Sequence, residues 1–201
     1  NSLLFSMALS YLGDCQRIFP SDSRPLEQVL WKIVTTNPVS QHRLQAFRLY
    51  RSIADSEEAV QRLYTLWQER KAPKDCTLSE SDYIGLSYML AMHLPEKADK
   101  IIATQLSRIQ NPDRKKEYQF ISPSVSPRKA ERDSVFASLL IAGNRRVEPW
   151  ASSALANLNH RLREQESVAY IRLALEAMSE VQRTGDIFFP TAWVRSLLSA
   201  H

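Results

Sequence analysis

Asn111-Pro112-Asp113-Arg114-Lys115-Lys116-Glu117-Tyr118-Gln119-Phe120-Ile121-Ser122-Pro123 is the densest basic stretch of the chain, and it stands between two long sets of helical patterns. Asn at the cap and Pro at the first helical position start a helix in the usual way, because the cap side chain accepts an orphan amide and Pro has none to lose. Arg114 then falls in the first turn. Pro123 and Pro127 break the chain at the far end of this helix.

Upstream, residues 3–12 read as a helix that stops at Gly13, since glycine suits the position just past a helix end. Residues 20–25 (Pro-Ser-Asp-Ser-Arg-Pro) read as a loop in which Ser23 caps the next helix and Pro25 lies in its first turn. Leu26, Val29, Leu30, Ile33 and Val34 fall on one helical face, and Asn37-Pro38 ends it. A third helix covers 41–54. A fourth starts at Asp55 or Ser56, with Glu57 and Glu58 favoured by the helix dipole and Val60, Leu63, Tyr64 and Trp67 as its buried stripe. Thr77-Leu78-Ser79-Glu80 has capping-box spacing. The helix after it runs to His93 and is apolar on more than one side, which calls for neighbours on both. Residues 97–110 give another.

Downstream, Ser126-Pro127 reads as cap plus first helical residue of a helix reaching Gly143. Glu148-Pro149-Trp150 opens a short helix containing Leu155 and Leu158. Residues 167–183 then show the cleanest stripe in the chain: Tyr170, Leu173, Ala174, Ala177, Met178 and Val181. Phe188-Phe189-Pro190 leads into a last helix with Trp193, Val194, Leu197 and Leu198. The expectation is an all-α fold of about ten or eleven helices joined by short loops. That is too many for one bundle. It suits an irregular αα superhelix of HEAT- or armadillo-like helix pairs, read as a single domain over 1–201.

Composition agrees with this. Only four of 201 residues are glycine, whereas hairpin-rich chains need more. The net charge of +4 is spread with acids and bases interspersed, so Lys115, Lys116, Arg128 and Lys129 read as a solvated face and nucleic acid is not an expected partner. No apolar run has the length of a membrane span. Cys15 and Cys76 have no metal or redox spacing and read as buried thiols, with a disulfide between them as the alternative. His42, His93, His160 and His201 show no i, i+4 pairing, and no H-E-x-x-H, G-x-S-x-G or phosphate loop occurs. No catalytic residue and no metal ligand can therefore be assigned. Asn1 rather than Met opens the chain, which implies a piece or a processed product of a longer one.

Asn111-Pro112-x-Arg114 and its Pro-punctuated turn carry a resemblance. So does the closing run Thr184-Gly185-Asp186-Ile187-Phe188-Phe189-Pro190-x-x-Trp193. With Glu148-Pro149-Trp150, Leu158-Asn159-His160 and Glu180-Val181-Gln182-Arg183 between them, residues 111–201 resemble the C-terminal helical domain of the aminopeptidase N family of zinc metallopeptidases. The resemblance implies a helical wall over an active site that lies in a separate, missing catalytic domain. That domain would hold the zinc and would be this chain's partner, with peptides as substrate. No cofactor is implied for these 201 residues. The resemblance also implies that Arg114 faces the catalytic domain or a bound peptide. The same arginine also reads as an ion-pair partner within the helical domain. Phe188, Phe189 and Trp193 read as a hydrophobic plug of the last turn. A competing reading of the same fold is a free-standing HEAT-like scaffold that binds a partner protein.

Overall fold

The computed structural model describes residues 2–18 and 21–201, so the start of the loop expected at Pro20 lies outside the described residues. Among the described residues there are twelve α-helices, four short 3-10 turns and no strand, as the all-α reading requires. The helices gather into two compact units, Asn1–His93 and Leu94–His201.

The first unit holds α1 (Ser2–Ile18), α2 (Arg24–Thr36), α3 (Ser40–Ile53), α4 (Glu57–Glu69) and α5 (Glu80–His93). Both α1 and α2 pack on α3, while α5 packs on α3 and α4. Leu30, Val34, Phe47, Tyr50, Leu63, Leu86 and Leu90 make its core. α1 does not stop at Gly13. A Cβ there would come within 3.0 Å of Leu49 Cδ1 on α3, so the glycine is a point of close helix approach inside the helix. Cys15 and Cys76 are free and half-buried rather than buried, and burial pushes the Cys76 thiol up.

Two buried carboxylates organise this unit. Ser23 does not cap α2 through a backbone amide; its hydroxyl donates to Glu27 Oε1 at 2.8 Å. Glu27 in turn accepts from the amides of Asp55 (2.7 Å) and Ser56 (3.0 Å) and from the Ser56 hydroxyl, so an α2 side chain satisfies the start of α4. Ser56 completes that cap by accepting from Ala59 N. The capping box of α5 also differs from the sequence expectation. Ser79 and Asp82 form it, with Asp82 Oδ2 taking the Ser79 amide (3.0 Å) and hydroxyl (2.7 Å) and Ser79 Oγ taking the Asp82 amide. Asp82 does this rather than Glu80 because it also meets Arg48, whose Nε donates to Oδ1 at 2.9 Å. Arg51 donates to the Asp82 carbonyl and lies so close to Gly85 that an added Cβ would fall 2.4 Å from its Nη1. Burial raises the pKa of each carboxyl. For Glu27 the bonds from Ser56, Asp55 and Ser23 outweigh burial, and for Asp82 those from Arg48 and Ser79 do, so both end below the ordinary range.

The second unit holds α6 (Ala98–Arg108), α7 (Pro112–Ile121), α8 (Lys129–Leu139), α9 (Glu148–Leu158), α10 (Glu164–Glu176), α11 (Met178–Thr184) and α12 (Phe189–Leu197). α9 is its hub, packed by α7, α8 and α12, and its Ala151, Ala154, Leu155 and Leu158 are buried against Phe136, Tyr170, Val181, Phe189 and Trp193. The long helix expected over 167–183 is two helices and begins earlier, at Glu164. Trp193 Nε1 donates to the Ala174 carbonyl at 3.1 Å. In an unbroken helix that carbonyl serves the amide of residue 178, where α11 begins; a side chain inserted into the ladder is a recognised cause of such a break. The split accounts for a twelfth helix. Leu173, expected in the stripe, is exposed.

Candidate functional site

α7 begins as the sequence dictates. Asn111 Oδ1 accepts from the amides of Asp113 (2.9 Å) and Arg114 (3.0 Å), and Pro112 takes the first helical position. Asn111, Pro112 and Asp113 are exposed, and Arg114 is half-buried in the first turn. Lys115 and Lys116 are solvated, with Lys116 near Asp113 at 3.9 Å. Arg128 and Lys129 are exposed but engaged. Arg128 forks onto Asp99 with two bonds of 2.9 Å and also binds Glu131, while Lys129 binds Asp133 at 2.8 Å. The Asp99 and Glu131 contacts raise the Arg128 guanidinium further.

The turn after α7 has a chemical problem that its sequence creates. Pro123 and Pro127 contribute no amide, and its carbonyls are left to find donors. Two arginines supply them. Arg163 donates to the carbonyls of Ser124 (2.7 Å), Val125 (2.8 Å) and Ser126 (3.0 Å). Arg132, buried, donates to those of Ser126 (2.8 Å) and Pro127 (2.9 Å) and pairs with Glu166. Burial, then the like charge of Arg132, pulls the Arg163 guanidinium down to about 10. Tyr170 closes the cluster by donating to Asp133 at 2.7 Å, and burial followed by that bond raises its phenol. This clamp delays α8. Ser126 Oγ accepts from Arg128 N, and the helix starts at Lys129 rather than at Pro127. Sequence reading missed Arg132 and Arg163. The available signal was a Pro-rich turn short of its own donors.

Glu148, Leu158, Val181, Asp186, Phe189 and Trp193, from the later segments that carry the resemblance, meet within this unit. Glu148 Oε1 accepts from Asp186 N at 2.9 Å, and Asp186 Oδ1 accepts from Phe188 N (2.7 Å) and Phe189 N (2.8 Å), so α9 fixes the turn before α12. Gly185 is needed there, because a Cβ would lie 2.5 Å from Phe189 Cδ1 and 2.9 Å from the Val181 carbonyl. Arg145 is buried, donates to the Leu139 carbonyl, pairs with Glu180 and sits 5.5 Å from the Trp193 ring. The Asn159 carbonyl accepts from Ser199 Oγ at 2.9 Å. Phe189 and Trp193 are buried as a plug, but Phe188 is 76% exposed and does not belong to it.

The histidines are dispersed among separate local roles. His42 stacks on Phe5, His160 caps a 3-10 turn, and His201 bonds Ser167. Among the described residues no three His, Cys, Asp or Glu side chains group to hold a metal, and no helix is long and apolar enough to cross a membrane. Comparison with protein-family models, curated proteins and solved structures finds no match to this chain.

Proposed function

We propose that this chain is the non-catalytic C-terminal helical domain of a zinc aminopeptidase, forming a wall that limits access of peptides to an active site in a separate catalytic domain. The observation that supports the reading is the joint use of the resembling segments. Glu148 accepts from the Asp186 amide, Leu158, Val181, Phe189 and Trp193 share one core, and Asn111 caps the helix whose first turn carries the half-buried Arg114. In this reading Arg114 binds a peptide carboxylate or an acidic surface of the catalytic domain, as a guanidinium fork does well. The 201 residues provide shape and charge and no bond-making group.

The test starts with the coding sequence upstream of Asn1. An H-E-x-x-H in the same reading frame is expected, and a start codon immediately before Asn1 overturns the proposal. In protein expressed from the whole frame, Arg114→Ala should raise KM for peptides by about tenfold, since a charge-assisted bond contributes roughly that much. Turnover of a one-residue aminoacyl-arylamide should not change. An equal loss on both substrates contradicts a role at the distal end of the peptide.

A second reading, a free-standing scaffold for a partner protein, is favoured by an open groove of about 640 Å³ beside α7 and α8. Phe120, Pro123, Val135 and Leu139 line its apolar part.

A further inference from the structure

The turn between α11 and α12 holds the two most exposed large apolar side chains among the described residues: Ile187 is 85% exposed and Phe188 76%. Their backbone is fixed. Asp186 N donates to Glu148, Asp186 Oδ1 accepts from the amides of Phe188 and Phe189, and the Phe188 carbonyl accepts from Ala192 N at 3.1 Å. Buried Phe189 and Trp193 anchor the helix that follows. Val147, partly exposed, precedes Glu148 and so borders the same turn. A lone exposed leucine needs no explanation, but an adjacent isoleucine and phenylalanine held outward on a rigid turn mark a contact surface.

The charges around this tip are of two kinds. The carboxylates, Glu148 and Asp186, already bond amides. The cations do not: Arg146, two residues before Glu148, and Arg183, three before Asp186, are exposed and have no ion-pair partner among the described residues. The chain's whole net charge also lies in this unit. Residues 94–201 hold sixteen Lys and Arg against twelve Asp and Glu, and residues 1–93 hold ten against ten.

We infer that Ile187 and Phe188 enter the interfacial layer of a bilayer rich in anionic phospholipid, with Arg146 and Arg183 at the lipid phosphates. The backbone bonds favour this partner. A segment leaving water must have its amides satisfied, and those of Asp186, Phe188 and Phe189 are. A turn that joined a protein by strand addition would need the same amides free. Charge favours it too. Arginine has an apolar stem that lies along acyl chains and a fork that binds phosphate, and each cation near an anionic leaflet strengthens binding about fivefold. Two side chains and two cations give a reversible contact, not a permanent anchor. The contact does not depend on the peptidase reading.

The experiment is co-sedimentation with vesicles of phosphatidylcholine alone and of phosphatidylcholine mixed with phosphatidylserine, using the 201-residue chain and protein from the whole reading frame. The mixed vesicles should bind about twentyfold more tightly, the product of two such cations, and added salt should weaken them. Phe188→Asp should weaken binding about tenfold or more, the scale of one lost aromatic contact, with unchanged helical circular dichroism because the side chain is outside the core. Arg146→Gln and Arg183→Gln should each cost about fivefold. Val29→Asp, at an exposed apolar position of the first unit, should change nothing. Equal binding to both vesicles, or none, overturns the inference. So does a Phe188→Asp chain that binds like the parent, or a Val29→Asp chain that fails like Phe188→Asp. Vesicle binding by the 201 residues but not by the longer protein would mean that another protein segment covers the tip, and that result also overturns it.

Discussion

Among the described residues, the least exposed ionic side chains of the two units carry opposite charges. Among those residues, the most buried ionic side chains in the unit of α1 to α5 are Glu27 and Asp82, each 4% exposed. In the unit of α6 to α12 they are Arg132 and Arg145, 4% and 3% exposed. The difference follows from which backbone groups were left unpaired. Helix starts expose amides, and a carboxylate within reach satisfies several at once, as Glu27 does for Asp55 and Ser56. Proline-rich turns and helix ends expose carbonyls, and a guanidinium satisfies those, as Arg132 does for Ser126 and Pro127 and Arg145 does for Leu139. A buried charge here serves the backbone first and its ion-pair partner second.

That contrast can be broken by substitution. The largest effect is expected for Arg132→Met, which leaves buried carbonyls without donors and should cost about 2–4 kcal/mol in urea unfolding. A loss below about 0.5 kcal/mol would show that water can replace the guanidinium in the turn. Glu27→Gln keeps the shape but removes the charge, and about 1–3 kcal/mol is expected. It also sharpens the comparison through pH. Glu27 and Asp82 are held below their ordinary pKa, so the native state keeps them ionised longer than the unfolded chain does. Their contribution is complete above about pH 5 and is lost as the pH falls through the native values. In Glu27→Gln the acid-induced loss of stability should be smaller than in the parent. An identical acid profile would mean that Glu27 does not titrate with unfolding.

The smallest effects separate two glycines. Gly185→Ala meets the Val181 backbone and the inner part of a fixed Phe189 ring, and about 1–3 kcal/mol of destabilisation is expected from overpacking. Gly85→Ala meets only the far end of Arg51, which can swing aside. The better helix propensity of alanine, about 1 kcal/mol, offsets the disturbance and leaves thermal stability nearly unchanged. Equal losses at both sites would mean that Arg51 is as firmly held as Phe189.

Local chemistry was legible in the sequence, and long-range chemistry was not. Asn111 caps the helix expected of it, and α4 follows Ser56, the second of the two starts expected, because these side chains reach amides two or three residues on. The two-sided apolar pattern of α5 correctly called for packing against more than one helix. The misplaced features share one cause. Ser23, Gly13, the α5 capping box and the start of α8 each look settled by their neighbours in sequence, and each is redirected by a distant side chain: Glu27 reaching to α4, Leu49, Arg48, and the arginine pair at 132 and 163. The continuous stripe over 167–183 gave no sign of Trp193 taking the Ala174 carbonyl from nineteen residues away. Arg114 was placed correctly in the first turn of α7; that it faces a catalytic domain or a peptide is a proposal that rests on the resemblance.

The most direct measurement is hydrolysis of an aminoacyl-arylamide with zinc present, comparing the 201-residue chain with protein from the whole reading frame. The account predicts chelator-sensitive turnover by the long protein and none by the 201 residues. Zinc-dependent turnover by the homogeneous short chain, or a long protein without any, would contradict it.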